Sequence, residues 1–237
     1  MNCNLMASLF QNLGEIFGTG EYINMIITGL GVTLLISIGA TIIGLILGTI
    51  VAIIKIIPSN SKLMKVLNVL CNIYTTVIRG TPMALQLFIM AFVIFAIRGF
   101  PMEITAILAF GINSGAYVSE NIRAGILSVD KGQMEAGRGL GLSWGKTMWK
   151  IVIPQAIKNV IPAIGNEIIA LIKETSIVSM VGGLYDLTLA AKILGSGQYM
   201  ATYLAPMLVV ALFYLGIVYA LTFGIKKIEK KLRAGDK

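Results

Sequence analysis

Glu135-Ala136-Gly137, then Gly141, then Ile151-Val152-Ile153-Pro154 form a polar island between long apolar runs. Charge next to a membrane is costly unless it faces water and meets a partner. Part of the island, Leu140 to Thr147, reads Leu-Gly-Leu-Ser-Trp-Gly-Lys-Thr. This comes within one residue of the phosphate-cradling pattern GxxxxGK[ST], but Leu140 stands where the first glycine is required. The pattern also needs a strand before it and a helix after it, and here it lies between apolar segments. Nucleotide binding by this chain is therefore not expected. The chain contains no His, and Cys3 and Cys71 are far apart with no CxxC spacing, so neither a metal centre nor a disulfide framework is indicated.

Ionisable side chains inside apolar segments are the second group of candidates. Glu120 and Arg123 are spaced i, i+3 and can pair on one helix face. Asn113, Ser114 and Tyr117 fall near the middle of the same segment. Glu167 lies about nine residues into a later helical stretch, roughly 13 Å from its end at 1.5 Å per residue. It can hold a ligand ammonium or hydrogen-bond a helix break. Arg79, beside Gly80-Thr81-Pro82, can hold a carboxylate or the carbonyls freed by a broken helix. Lys173-Glu174-Thr175-Ser176 reads as a gate or kink, because Thr and Ser hydroxyls can bond helix carbonyls and bend the axis.

The elements that position these groups must be membrane helices. The 237 residues are 57% hydrophobic and 13% charged, with mean hydropathy +0.86. Soluble domains are about 45–50% apolar and about 25% charged. The +8 net charge is spread between and after apolar runs, which suits membrane topology better than nucleic-acid binding. Five spans are expected: about Tyr22–Ile57, Val66–Ile97, Glu103–Leu127, Val160–Met180 and Tyr203–Ile225. The second is one helix interrupted by Arg79-Gly80-Thr81-Pro82, since each half is too short to cross alone. Gly44 and Gly48 in the first span have GxxxG spacing, which permits close helix contact. Residues 182–202 read as a loop with a short helix.

The positive-inside rule orients the chain with its N-terminus outside. The inner segments then hold Lys55, Lys62, Lys65, Lys131, Arg138, Lys146, Lys150 and Lys158, and the tail from Lys226 to Lys237. The outer segments hold only Arg98 and Lys192. No removable signal peptide is expected, because residues 1–20 lack a basic n-region and a cleavage site. Three regions result: an extracytoplasmic segment over 1–20, a transmembrane region over 21–225 with the island at about 130–154 on the cytoplasmic side, and a basic cytoplasmic tail over 226–237. Within the island, Asp130 is a plausible N-cap for a short helix, Gly141 its left-handed stop, and Pro154 the start of the next helix.

Glu135-Ala136-Gly137 with Gly141 and Ile151-x-Ile153-Pro154 resembles the EAA loop of ATP-binding-cassette import permeases. Gly137 replaces the second alanine and Ile153 the leucine of that pattern. Arg79-Gly80-Thr81-Pro82 with Gln86, and Asn113-Ser114-x-Ala116-Tyr117 with Glu120 and Arg123, resemble the polar amino acid subgroup, of histidine and glutamine permease type. Pro154-Gln155-Ala156, Gly165-Asn166-Glu167, Lys173-Glu174-Thr175-Ser176 and the tail Leu232–Asp236 add to this. The resemblance covers nearly the whole chain after about residue 25.

It implies an all-α, five-helix permease of type I ABC importer architecture in the bacterial plasma membrane, paired with an identical or related second permease subunit. It also implies a cytoplasmic ATPase subunit carrying ATP and Mg, and an extracytoplasmic binding protein delivering an amino acid. Glu135, Ala136, Gly137, Gly141 and Pro154 would couple to the ATPase. Arg79, Asn113, Ser114, Tyr117 and Glu167 would line the substrate path. No cofactor is expected on this chain. The competing readings are a stand-alone ion-coupled carrier or channel, for which no internal repeat is visible, and an intramembrane enzyme, for which no HExxH or GxSxG pattern is present.

Overall fold

The computed structural model describes residues 2–197, 200 and 202–234, and every regular element among them is helical. In chain order these are α1 Asn2–Gly18, α2 Gly20–Ile56, α3 Lys62–Gly80, α4 Met83–Ile89 and α5 Met102–Leu127. There follow α6 Lys131–Gly139, α7 Trp144–Thr147, α8 Ile153–Glu174, α9 Leu187–Leu194 and α10 Leu204–Arg233. A π-helical turn, Met90–Ile94, extends α4, and another, Met148–Val152, joins α7 to α8. Gly235, Asp236 and Lys237 of the expected tail lie outside the described residues.

Among the described residues, two helices are long and apolar enough to cross a membrane unaided, α2 and α10. The count is three if α3 and extended α4 form one bent span. The expected five exceeds that count for a compositional reason. Helix α5 carries Glu103, Glu120 and Arg123, and α8 carries Lys158, Glu167, Lys173 and Glu174. The interrupted second segment is also more sharply broken than a kinked span, since the chain turns by 108° between α3 and α4. Pro82 disfavours helical backbone at the residue before it. Thr81 accordingly takes φ −119° and ψ 146°, and its hydroxyl donates to the Val77 carbonyl at 2.8 Å. Residues 226–233 continue α10 as helix.

The helices group into two units. One comprises Met1–Ala40, Met83–Phe110 and Leu171–Ala220. Its first apolar cluster joins Ile36, Leu87, Phe110, Leu171 and Val178. Its second joins Ile26, Leu187, Leu194, Ala205 and Val209 with Ile16 of α1, against which Leu9 and Leu13 also pack. Helix α9 starts here because Asp186 accepts hydrogen bonds from the amides of Thr188 (2.9 Å) and Leu189 (3.1 Å). The Thr33 hydroxyl takes the Leu187 amide at 3.1 Å. Only glycine fits at position 29, where a Cβ would lie 2.8 Å from the Asp186 carbonyl oxygen.

The other unit comprises Thr41–Pro82, Gly111–Ala170 and Leu221–Lys237, and carries the island. Gly44 and Gly48 pack directly on α5. A Cβ at Gly44 would stand 2.8 Å from Ser114 Oγ, and one at Gly48 would stand 2.6 Å from Val118 Cγ1. The GxxxG spacing is therefore a helix–helix contact, in which missing side chains bring two backbones together. Tyr74 adds a tie from α3, its hydroxyl donating to the Ile112 carbonyl at 2.5 Å.

Candidate functional site: the polar island and the polar face of α5

The island folds as a helical hairpin. Asp130 caps α6, its carboxylate accepting the Gly132 amide at 2.6 Å. The other end closes by two paired bonds, from the Leu142 amide to the Gly137 carbonyl (3.1 Å) and from the Gly141 amide to the Arg138 carbonyl (3.0 Å). This is a Schellman closure, which needs left-handed backbone at its penultimate residue. Gly141 supplies it with φ +82°. Arg138 holds the turn further by donating to the Leu142 carbonyl at 2.8 Å. Ser143 then caps α7 by accepting the Lys146 amide at 3.3 Å. The near-match to a phosphate loop thus lies in a helix–turn–helix with no strand before it.

Gly137 is the contact point of the hairpin. It is buried, and a Cβ there would come within 2.4 Å of Thr147 Cγ2 and 3.1 Å of Ile151 Cδ1. The glycine that replaces alanine in the family pattern therefore permits the packing. Gln155 reaches back from α8 to Gln133 at 3.2 Å. Pro154 stands at the second position of α8, near a helix start as expected. The run from Trp144 to Glu174 is continuous, and Pro154 sits inside it immediately after the π-helical turn. That turn is where the ladder changes register, with the Ile153 amide bonding the Met148 carbonyl. A widened turn accommodates a proline ring and its missing donor. Glu135 and Ala136 are exposed. So are the apolar Leu140, at 82%, and Trp149, at 72%.

The polar groups of α5 form a second constellation in the same unit. Glu120 accepts from Arg123 Nε at 2.9 Å, as its spacing predicts. Its other oxygen bonds Lys55 Nζ of α2 at 2.5 Å, and Lys55 also donates to Thr75 Oγ1 of α3 at 3.1 Å. Lys55 therefore ties α2 to α5 through Glu120 and to α3 through Thr75. Sequence reasoning missed Lys55, since a lysine ending an apolar run reads as a topology signal. The only cue was one carboxylate against a surplus of nearby cations.

Of the expected path residues, Asn113 and Ser114 are buried and Tyr117 is half-buried. The structure brings Arg79 onto Tyr117, with its guanidinium carbon 5.3 Å from the ring centroid. That is a cation–π geometry. Glu167 is half-buried on α8, two residues after Gly165 packs against Ile225 of α10. Lys173 to Ser176 lie where α8 tightens into a 3-10 turn, Thr175–Met180. Thr175 and Ser176 donate to the carbonyls of Ile172 (2.6 Å) and Lys173 (2.8 Å).

Comparison with known proteins places this architecture. Residues 44–234 match the family described as "Binding-protein-dependent transport system inner membrane component". The arginine transport system permease protein ArtQ of Bacillus subtilis (strain 168) is 42% identical over 216 residues, covering 90% of this chain and 95% of that protein. A putative glutamine transport system permease protein GlnP of Rickettsia typhi (strain ATCC VR-144 / Wilmington) is 43% identical over 210 residues, covering 87% and 92%. Among solved structures, an amino acid ABC transporter with histidines superposes with TM-score 0.80 at 38% identity, covering 89% of this chain and 95% of that one. An inward-facing MetNI methionine transporter shares the fold at TM-score 0.73 and 17% identity, covering 90% and 99%. The chain belongs to the family of binding-protein-dependent transport system inner membrane components: it is the permease subunit of an ATP-driven importer, a transport subunit and not an enzyme.

Proposed function

We propose that this permease carries an amino acid inward and receives the ATP cycle of a cytoplasmic ATPase subunit through the island. The observation that carries the coupling reading is the hairpin itself. It is a short helix fixed at both ends by Asp130 and Gly141, presenting exposed Glu135, Ala136 and Leu140. Exposed apolar groups on a rigid, water-facing element call for a partner surface. ATP and Mg belong to that partner. A second permease subunit and an extracytoplasmic binding protein complete the complex in the bacterial plasma membrane.

The reading includes five crossings, with an outside N-terminus and a cytoplasmic C-terminus. Helices α5 and α8 cross as polar-lined helices, their charges covered by neighbours rather than facing lipid. An amino acid is a zwitterion, so its path needs both charge signs and neutral hydrogen-bonding groups. Arg79, Asn113, Ser114, Tyr117 and Glu167 offer that set, and Lys173 to Ser176 act as the gate. The relatives named above are an arginine permease and a glutamine permease of nearly equal identity, which supports an amino acid without choosing between them.

The test is co-purification and uptake. In mild detergent the chain should retain an ATPase subunit, and Glu135→Lys should release it and abolish uptake in vesicles. Uptake by Glu135→Lys at the wild-type rate, together with a wild-type chain that never retains an ATPase, would sink the reading. A competition panel of the twenty amino acids on the reconstituted complex identifies the substrate.

A further inference from the structure

The cationic end of α10 has a face of its own. The helix runs for 30 residues, about 45 Å at 1.5 Å per residue. The hydrocarbon of a bilayer is about 30 Å thick. The end of α10 therefore reaches into the headgroup layer. It carries Lys226, Lys227, Lys230, Lys231 and Arg233 against one acid, Glu229, a net of +4 from five cations and one carboxylate.

Lys226, Lys230 and Arg233 follow one another at i+4 and i+3, so they share one stripe of the helix. Phe223 begins that stripe and is 67% exposed. Further up the same helix, Tyr219, Leu215 and Leu212 repeat the spacing and are also exposed. The opposite side is the packed one. Ile225 lies against Gly165, where a Cβ would come within 2.8 Å of its Cδ1, and Leu232 is half-buried. The stripe thus points away from the side of α10 that packs on α8. Lys226, Glu229, Lys230, Arg233 and Ala234 line a shallow crevice there. Glu229 pairs with Arg233 at 3.2 Å, leaving the two lysines as its dominant charges. Arg233 also borders a crevice holding Asp130 and Lys158, one acid and one base that cancel.

Topology alone asks for cations on one side of the membrane, not for cations in line with an exposed apolar stripe. A stripe that is apolar along the bilayer and cationic at its edge matches one molecule of anionic phospholipid. We infer that the inner end of α10 binds such a lipid of the cytoplasmic leaflet, its phosphate among Lys226, Lys230 and Arg233 and its chains along Phe223 and the turns above. The inference rests on the cytoplasmic placement proposed above for this helix end. Juxtamembrane Lys and Arg clusters attract anionic headgroups, and the attraction fades with salt.

The test is native mass spectrometry of the permease–ATPase complex titrated with phosphatidylglycerol or phosphatidylcholine. Phosphatidylglycerol should be retained at least about tenfold more tightly. Lys226→Gln/Lys230→Gln/Arg233→Gln should abolish that preference while keeping the ATPase subunit and the melting temperature, since all three side chains are exposed. Equal retention of the two lipids by the wild type overturns the inference, as does an undiminished preference in the triple variant. Release of the ATPase by the triple variant makes this face a protein dock and overturns it too. The same titration on the permease alone separates the two proposals. Selective lipid retention by a chain that never holds an ATPase keeps the lipid site and removes the proposed coupling through the island.

Discussion

At the residue scale, two glycines of the island carry different constraints. Gly141 has open space around it and is held only by φ +82°. A side chain there meets no neighbour but costs about 1–2 kcal/mol in left-handed backbone, more when β-branched. Gly141→Val should therefore uncouple ATP hydrolysis from uptake, while Gly141→Asn, which tolerates that backbone, should retain most coupling. Equal uptake per ATP in wild type and Gly141→Val would rule this out. Gly137 is held by contact instead. Gly137→Ala restores the family's residue and gains roughly 1 kcal/mol of helix propensity. It must also displace Thr147 Cγ2 from 2.4 Å, an overpacking cost of about 1–3 kcal/mol. The variant should lose ATPase retention, and adding Thr147→Ser, which removes that methyl, should restore it. At Glu120, Lys55→Met leaves Arg123 as partner but removes a charge-assisted bond, about 1.5–3 kcal/mol. A lower melting temperature in detergent, absent in a Glu120→Gln background, is the expected result.

At the element scale, the contact of α2 with α5 depends on absent side chains. Gly48→Ala would put its Cβ 2.6 Å from Val118 Cγ1 and 2.8 Å from the Gly115 carbonyl. Gly48→Ala should destabilise the permease by about 1–3 kcal/mol. Val118→Ala should recover only part of this, because the clash with the Gly115 backbone remains. Full recovery in thermal melts would show that the backbones are not in close contact. The break at Thr81-Pro82 was legible because proline acts on its neighbour's backbone. Its 108° angle was not, since the direction of a broken chain is set by what each half packs against. Pro154 was legible as standing near a helix start; that a π-helical turn joins α7 directly to α8 was not.

At the scale of the whole molecule, the proposed orientation puts Leu140 on the cytoplasmic side and Arg98 outside. In a chain cleared of Cys3 and Cys71, a cysteine at position 140 should label with a membrane-impermeant thiol reagent only from the inside, and one at position 98 only from the outside. Labelling of both from one face would exclude the odd number of crossings between them. Hydropathy supports two or three unaided spans, because it scores each helix as though alone in lipid. A polar-lined helix such as α5 buries Asn113, Ser114 and Thr105 against protein, and no window average of its own residues can register that.

Local chemistry was readable from the sequence. The Asp130 cap, the Gly141 stop, the Pro82 break, the Glu120–Arg123 pair and the membrane class follow from residues a few positions apart or from bulk composition. Only the tertiary structure decided the rest: Lys55 as second partner of Glu120, Gly44 and Gly48 as the floor of a contact with α5, Gly137 as a contact point against Thr147, and Arg79 on Tyr117. Each joins residues that are distant in the chain or set by which helix face turns inward. Short-range spacing constrains a helix to its own axis. The choice of neighbour is made by packing, and packing is a property of the assembled chain.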